Sequence, residues 1–365
     1  MDRKVINRKG FRKLWEVAKR ALFSNICFGW LTLTERFQGF VFFSLYFFCC
    51  MQRWNWNLDI AGIQVINSFL DYEDELLADN PPPPLSLGAK MMRIFIPTAE
   101  ISLPVIALLQ FLLLRYAPCT PPFIMSMQPK CTERARFSVV QLGVHVFEGW
   151  MFLHMLLAGG CWVIYALFTG IVSILSYFSI LNRKIEAIET EANLNTSIQF
   201  YQRIQILEKS YNSFLRDRIL PSMILCVPGI QIITQYVTLN HHSDIAMPGF
   251  LVFPLIAVNT GMTNVLAFTL AAFVNSASEK VMETLGKKAS LLPGKKSLIK
   301  RRIRGCSVLK VKFGSNFIDR GTPLVMQTFC INQTVSLTLI KQGKSVHLGV
   351  LDKYVYADWL EKIVN

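Results

Sequence analysis

Long uncharged apolar runs constrain this chain more than any other feature of its sequence. Candidate membrane spans lie at 37–52, 94–115, 139–181, 219–239, 249–275 and 322–340. The chain of 365 residues is 52% hydrophobic and only 17% charged, whereas an average soluble domain is about 25% charged. A soluble core does not need uninterrupted apolar stretches of about 20 residues, but a bilayer does. The sequence therefore predicts an all-α polytopic membrane protein.

Two basic clusters indicate the orientation of the chain in the membrane. One lies in the N-terminal region 1–36 and the other within 280–320, and the net charge is +14. Both clusters adjoin apolar runs, so retention of positive charge on the cytoplasmic side explains them better than nucleic-acid binding does. We therefore expect a cytoplasmic N-terminus, and we expect no nucleic-acid partner.

The number of crossings between two cytoplasmic clusters must be even, yet the apolar runs between them are odd in number. In one solution, the short segment 58–70 is a second, shortened span, which gives seven spans. In the other, 139–181 folds back at Gly159-Gly160 and crosses twice. As one helix, 139–181 would be about 65 Å long and would project into the cytoplasm. A turn at the glycine pair would expose backbone to lipid, which bilayers do not tolerate, so we favour seven spans; the folded-back chain remains the alternative.

The seven-span topology divides the chain into a series of segments. They are a basic cytoplasmic N-terminus (1–36), transmembrane helices 1–4 (37–181), a cytoplasmic helical segment (182–218), transmembrane helices 5 and 6 (219–275), a basic cytoplasmic loop (276–321), transmembrane helix 7 (322–341) and an extracellular tail (342–365). We expect 71–93, with its run of prolines, to be an extended cytoplasmic link.

The cytoplasmic segment 182–218 carries apolar residues at mostly helical spacing. They are Ile198, Tyr201, Ile204, Ile206 and Leu207. This pattern predicts a helical extension that packs outside the membrane.

Cysteine and histidine usage gives no sign of a metal site or of enzyme chemistry. The nine cysteines form no CxxC pair and the five histidines no HExxH motif, so we expect no metal, no cofactor and no enzymatic activity. Cys119 and Cys131 would lie outside the cell, where they either form a disulfide or remain free thiols.

Four features point together to one family. They are the seven-span topology with a cytoplasmic N-terminus, "RYAPCTPP" after the third span, "YQRIQILEKSYNSF" before the fifth, and "FIDRGTPLVMQTFCINQTVSLTLI" in the last helix. They resemble the insect and arthropod chemoreceptor superfamily of gustatory and odorant receptors. The gustatory branch ends its last helix with T-Y, five hydrophobic residues and Q-F. On this chain Thr334 is kept, whereas Val335, Lys341 and Gln342 replace the Tyr, Gln and Phe.

The resemblance implies a chemosensory receptor that acts as a ligand-gated, non-selective cation channel. It implies a multi-pass protein in the plasma membrane of a sensory neuron, a homo- or hetero-tetramer with related receptors, and a small-molecule tastant or odorant as ligand. A seven-transmembrane metabotropic receptor or a small-solute transporter is the alternative. The basic N-terminus argues against the former, and the lack of an internal repeat argues against the latter.

The last predicted helix has a polar stripe. At about 100° per residue, five polar side chains fall within one arc of about 100°; they are Gln327, Thr334, Thr338, Lys341 and Gln342. Such a stripe must face protein or water. The resemblance implies that it lines the pore, and interhelical hydrogen bonding is the alternative. A ring of Lys341 side chains would repel cations unless they snorkel to the interface.

The resemblance also implies a small-molecule pocket in the outer half of the bundle. The residues placed there are Phe111, Phe147, Trp150, His154, Phe250 and Phe253. An aromatic pocket with few polar groups suits a small, mostly apolar ligand. Packing against other helices or against lipid is the alternative for each of these side chains.

Overall fold

The computed structural model describes residues 60–79, 87–119, 123–127, 139–161, 164–243, 245, 247–291, 296–313 and 316–341. In these residues the chain forms nine α-helices and one short β-hairpin. The helices are α1 (Ile60–Asp79), α2 (Leu87–Tyr116), α3 (Val139–Leu156), α4 (Thr169–Glu186), α5 (Glu191–Phe214), α6 (Leu220–Asn240), α7 (Val252–Leu291), α8 (Lys296–Arg304) and α9 (Thr322–Lys341). The strands are β1 (Lys312–Phe313) and β2 (Asn316–Phe317), which pair antiparallel.

Within the described residues, four stretches of helix are long and apolar enough to cross a membrane. They are Gly88–Tyr116, Val139–Gly160, Met223–Asn240 and Gly249–Leu291. Large apolar side chains such as Ile94 and Ile101 on α2 are exposed on their surfaces, which a bilayer would cover. The protein is an all-α membrane protein, as predicted. The predicted span 37–52 and the tail 342–365 lie outside the described residues, and the count of seven spans stays a prediction.

The predicted long span 139–181 is helical on both sides of the glycine pair. α3 continues through π-helical turns at Leu157–Cys161 and Ile164–Phe168 before α4 begins. α3 packs against α2, whereas α4 packs mainly against α5 and α7. A chain folded back at the glycine pair would place α4 alongside α3. Among the described residues, α3 and α4 are not packed side by side. Residues 162 and 163 lie outside the described residues, so the single long helix stays a prediction.

Helix α1 differs from the short span predicted at 58–70. It continues through acidic residues to Asp79, so the expectation of an extended link from residue 71 is wrong. The helix continues because Tyr72 and Leu76 repeat the spacing of Phe69, and all three side chains are buried. α1 packs against α5 and α4 and is not among the four spanning candidates in the described residues.

Helix α7 is the central element of the bundle. It packs against α2, α4, α5, α6, α8 and α9. Its 40 residues span about 60 Å, twice the thickness of the hydrocarbon core. The predicted span ended at residue 275, and the predicted loop 276–321 instead begins with about four turns of the same helix.

Helix α5 confirms the predicted helical segment, with one exception. Ile198, Tyr201, Ile204 and Leu207 are buried, but Ile206 is 67% exposed. Two residues from Ile204 the helix has turned by about 200°, so Ile206 points to the opposite side. Its prediction as a packed residue is wrong.

A strap, defined as residues 305–313, follows α8 and runs along α5. Tyr201 Oη donates to the Ser307 carbonyl at 2.8 Å, and the Leu309 N–H donates to Ser278 Oγ of α7 at 2.8 Å. Further along, the Lys310 N–H donates to the carboxylate of Glu208 at 3.2 Å. Side chains of α5 and α7 therefore hold the strap in place.

The bundle has two ends. At the hairpin end, defined by Tyr116, Asn240 and Gly249, Leu113 of α2 lies directly against Gly249. At the basic end, defined by Glu186 and the α7–α8 region, Lys288 Nζ donates to the Glu186 carbonyl at 3.2 Å.

Candidate functional site

The polar stripe of α9 lies against α6. Gln231 Nε2 donates to Gln327 Oε1 at 3.1 Å. Thr334 Oγ1 donates to Gln235 Oε1 at 3.2 Å and is 5% exposed, and Asn240 Nδ2 donates to Thr338 Oγ1 at 2.8 Å. These contacts are interhelical hydrogen bonds, which were the alternative to a pore-lining role for the stripe.

The predicted pore-lining role is not settled by these contacts. An assembly of several chains would present surfaces that a single chain leaves open, and the role of Gln327, Thr334 and Thr338 in a pore stays a prediction. Lys341 is the last residue of α9, and Gln342 lies outside the described residues.

An amide chain, defined as Asn264, Gln231 and Gln327, links α7, α6 and α9. Asn264 Nδ2 donates to Gln231 Oε1 at 2.7 Å, and Gln231 in turn donates to Gln327. Asn264 and Gln231 are fully buried. At the two ends of the chain, Asn264 Oδ1 and Gln327 Nε2 are buried and find no partner in the part of the chain that the structure describes.

Sequence reasoning missed Gln231 and Asn264. The available signal was an amide within each of two otherwise apolar predicted spans, since polar groups in membrane helices are rare and face other helices or water. Periodicity could not show that these two side chains meet, because it describes each helix separately.

A second side of α9, which we call the open face, is centred roughly 90° around the helix from the stripe and has no helix packed on it among the described residues. Its exposed side chains fall within one arc of roughly 100°; they are Leu324, Thr328, Ile331, Asn332 and Val335. Thr328 and Asn332 are polar and were not part of the predicted stripe. α9 is not among the four stretches of the described residues that are long and apolar enough to cross a membrane, so its crossing stays a prediction. In a bilayer, Asn332 would have to find protein or water.

The six residues predicted to bind a ligand are not gathered at one place. Phe147 and Trp150 are about half exposed on α3, and the Trp150 ring lies 4.4 Å from the exposed His154 ring between centroids. Phe253 is fully buried in the core, whereas Phe111 and Phe250 are half-buried. Their role as a ligand pocket stays a prediction.

Buried polar side chains lie on the other face of α3 and on α2. Glu148 Oε1 accepts the Ile124 N–H at 2.6 Å. Its Oε2, both ring nitrogens of His145 and both amide atoms of Gln110 are buried without a partner among the described residues. An unsatisfied buried polar atom costs about 1–3 kcal/mol, so each of these atoms is suited to hold an ordered water or a polar group of a ligand.

Two further predictions concern cysteine and metal chemistry. Cys119 is disulfide-bonded, but Cys131 lies outside the described residues, so their pairing stays a prediction. In the described ranges, no group of three His, Cys, Asp or Glu side chains is placed to hold a metal ion.

Comparisons with family models and with curated proteins find no match for this chain. The resemblance to chemoreceptors therefore depends on the sequence features alone.

Proposed function

We propose that this protein is a chemosensory receptor of the gustatory or odorant type that acts as a ligand-gated, non-selective cation channel. One observation carries the proposal: α9 has amide and hydroxyl side chains on two different faces. One face is bonded to α6 through Gln327, Thr334 and Thr338, and the open face carries Thr328 and Asn332.

The bonded face can hold α9 in a fixed position within its own chain. The open face is then available to other copies or to water. In a tetramer, four copies of α9 with their open faces inward would surround one path, lined by Thr328, Asn332 and Val335. Neutral hydroxyl and amide groups beside an aqueous path suit a weakly selective cation pore.

A ligand site in the same proposal lies between α2, α3 and α7 towards the hairpin end. Phe111 of α2, which lies against Gly149 of α3, supplies apolar surface there, and Gln110, His145 and Glu148 supply unsatisfied polar atoms. A small, mostly apolar tastant or odorant with one or two polar groups would match this combination.

The proposal is tested by current recordings from the purified protein in planar bilayers. With a panel of candidate tastants and odorants, we expect cation currents that appear only with ligand. Bilayers that stay silent with every candidate would contradict channel function.

Cysteine substitution then identifies the face that lines the pore. In a background whose native cysteines do not respond, a cationic thiol reagent should reduce the current of Thr328→Cys and Asn332→Cys. Thr334→Cys is the matched control, because that position is buried against α6. Reaction at Thr334 and Thr338 with no effect at 328 and 332 would keep the channel and assign its pore to the predicted stripe.

A further inference from the structure

An open groove lies at the basic end of the bundle, between α4, α7 and the residues that precede α9. Its volume is about 610 Å³, and its wall includes Leu175, Phe273, Glu279, Lys280, Glu283 and Arg320. Cavities of about 300–1,000 Å³ are typical of small-molecule sites.

The groove straddles the boundary between apolar and charged sequence on α7, and the other two elements pass from apolar to charged sequence towards the same end of the bundle. α7 has no charged residue from Val252 to Ser278, and its first charges are Glu279 and Lys280. On α4 the first charge is Arg183, and Arg320 is the last charged residue before the uncharged run 321–340. Such a boundary marks the level of the lipid headgroups.

The two halves of the groove differ in chemistry. On the apolar side, Phe273 is 42% exposed and Leu175 is half-buried. On the charged side, Arg320 Nε donates to Ser276 Oγ at 2.6 Å, which orients the guanidinium group. In the described residues the Nη atoms of Arg320 and the ammonium group of Lys280 make no ion pair.

The two carboxylates of the groove each use one oxygen. Asn275 Nδ2 donates to Glu279 Oε1 at 3.1 Å, and Glu283 Oε1 pairs with Lys287 Nζ at 2.6 Å. Each carboxylate keeps its second oxygen for another donor. The groove therefore offers cationic and anionic groups side by side above an apolar wall.

We propose that this groove binds a zwitterionic glycerophospholipid of the phosphatidylethanolamine type. Arg320 and Lys280 hold its phosphate, since a guanidinium group binds phosphate through paired hydrogen bonds. Glu279 and Glu283 accept hydrogen bonds from its ammonium group. The acyl chains lie against Phe273 and Leu175, and the two carboxylates disfavour a purely anionic headgroup. The proposal does not depend on channel function.

Lipid binding to the purified full-length protein in detergent is the test, read out by native mass spectrometry at a fixed ratio of added lipid. We expect retention of phosphatidylethanolamine and weaker retention of phosphatidylglycerol. Arg320→Gln should weaken binding of phosphatidylethanolamine about tenfold or more, because it removes charged hydrogen bonds to phosphate. Arg301→Gln on α8 makes the same change of charge outside the groove and should leave binding unchanged.

Several results would overturn the proposal. These are equal binding by Arg320→Gln and Arg301→Gln, tighter binding of phosphatidylglycerol, or equal binding of soluble glycerophosphoethanolamine, which lacks acyl chains. Should Arg320→Gln fail to fold, Lys280→Gln replaces it, since Lys280 is an exposed side chain on a helix and its loss should also weaken binding.

Discussion

At the residue scale, Gly170 of α4 shows how closely α4 and α5 approach each other. A Cβ atom at this position would lie 2.4 Å from Cε2 of Tyr211. The Tyr211 side chain is buried, its hydroxyl donates to the Leu167 carbonyl, and its ring packs edge-on against Phe69 with centroids 5.8 Å apart. The ring is held from several sides and has little room to give way.

Gly170→Ala is expected to destabilise the protein by about 1–3 kcal/mol, because the added methyl group forces a buried ring to move. Thermal unfolding of the purified protein measures the effect. The matched control is Gly286→Ala on α7, where nothing lies within 4 Å of the added atom; it should stabilise by about 0.5–1 kcal/mol through helix propensity. Equal melting temperatures for Gly170→Ala and the unchanged protein would contradict this account of Tyr211.

Residue spacing predicted which side of a helix is buried but not what lies against it. Tyr201 and Ile204 were predicted to pack and do so, because they share one side of α5. The contact between Gln231 and Asn264 could not be predicted, since it depends on how α6 and α7 are set against each other. For the same reason, the sequence could not show that Phe147 is exposed whereas Phe253 is buried in the core.

At the element scale, the strap depends on a buried carboxylate. Burial raises the pKa of Glu208 above its ordinary value, and this exceeds the opposing effects of the Lys310 N–H and the nearby Lys312 charge. Asn212 Nδ2 also donates to this carboxylate at 2.5 Å, and Asn212 Oδ1 accepts the Lys312 N–H at 2.9 Å. The strap is thus bonded to α5 through one titratable group and one amide.

The raised pKa of Glu208 predicts how stability depends on pH. The folded protein binds this proton more tightly than the unfolded chain, so its contribution to the free energy of unfolding falls as pH rises from the ordinary value through the folded pKa. Glu208→Gln keeps an acceptor for the Lys310 N–H and carries no charge. We expect this variant to melt higher than the unchanged protein near neutral pH, with the difference shrinking in acid.

Melting temperatures between pH 5 and pH 8 measure this difference. Glu189→Gln, at an exposed carboxylate in the turn before α5, is the control and should show no such trend. A difference between Glu208→Gln and the unchanged protein that is constant over this range would show that Glu208 does not titrate there.

Element boundaries were harder to predict than the elements themselves. The predicted sixth span ends where the apolar run ends, but α7 continues because 279–290 is rich in helix-forming residues and buries Val281 and Leu285. Hydropathy reports the end of affinity for lipid, not the end of a helix. The acidic half of α1 was missed for the same reason.

At the scale of the whole molecule, the packing sets which loops share a side. Leu113 lies against Gly249, so the residues after α2 and the turn between α6 and α7 belong to the hairpin end. α8 and the end of α7 belong to the opposite, basic end.

Epitope tags therefore have an expected pattern. Tags within 120–130 and within 241–248 should label in intact cells, and a tag at α8 should label only after permeabilisation, because positive charge is retained in the cytoplasm. Labelling of the first two tags on different sides would contradict the packing. Labelling of 120–130 only after permeabilisation would support the folded-back chain.

The membrane class could be predicted from the sequence, but the arrangement of the bundle could not. Apolar runs reveal which segments prefer lipid, whereas the choice of neighbours depends on complementary side chains on separate helices. α7 is an example of such a choice of neighbours. It packs against six helices, some inside the predicted spans and some beyond them.

The hydrogen bonds of the amide chain from α7 to α9 can run in either of two equivalent directions. Each amide group can rotate by 180° and exchange its oxygen for its nitrogen, and the reversed series Gln327 to Gln231 to Asn264 would contain the same two bonds as the one observed. Reversal moves the spare donor from the last helix to α7 and leaves a spare oxygen in its place. A cation or a proton donor that approaches Gln327 can therefore set the direction of all three amide groups. The amide of Asn264 reverses together with that of Gln327, and the backbone does not move.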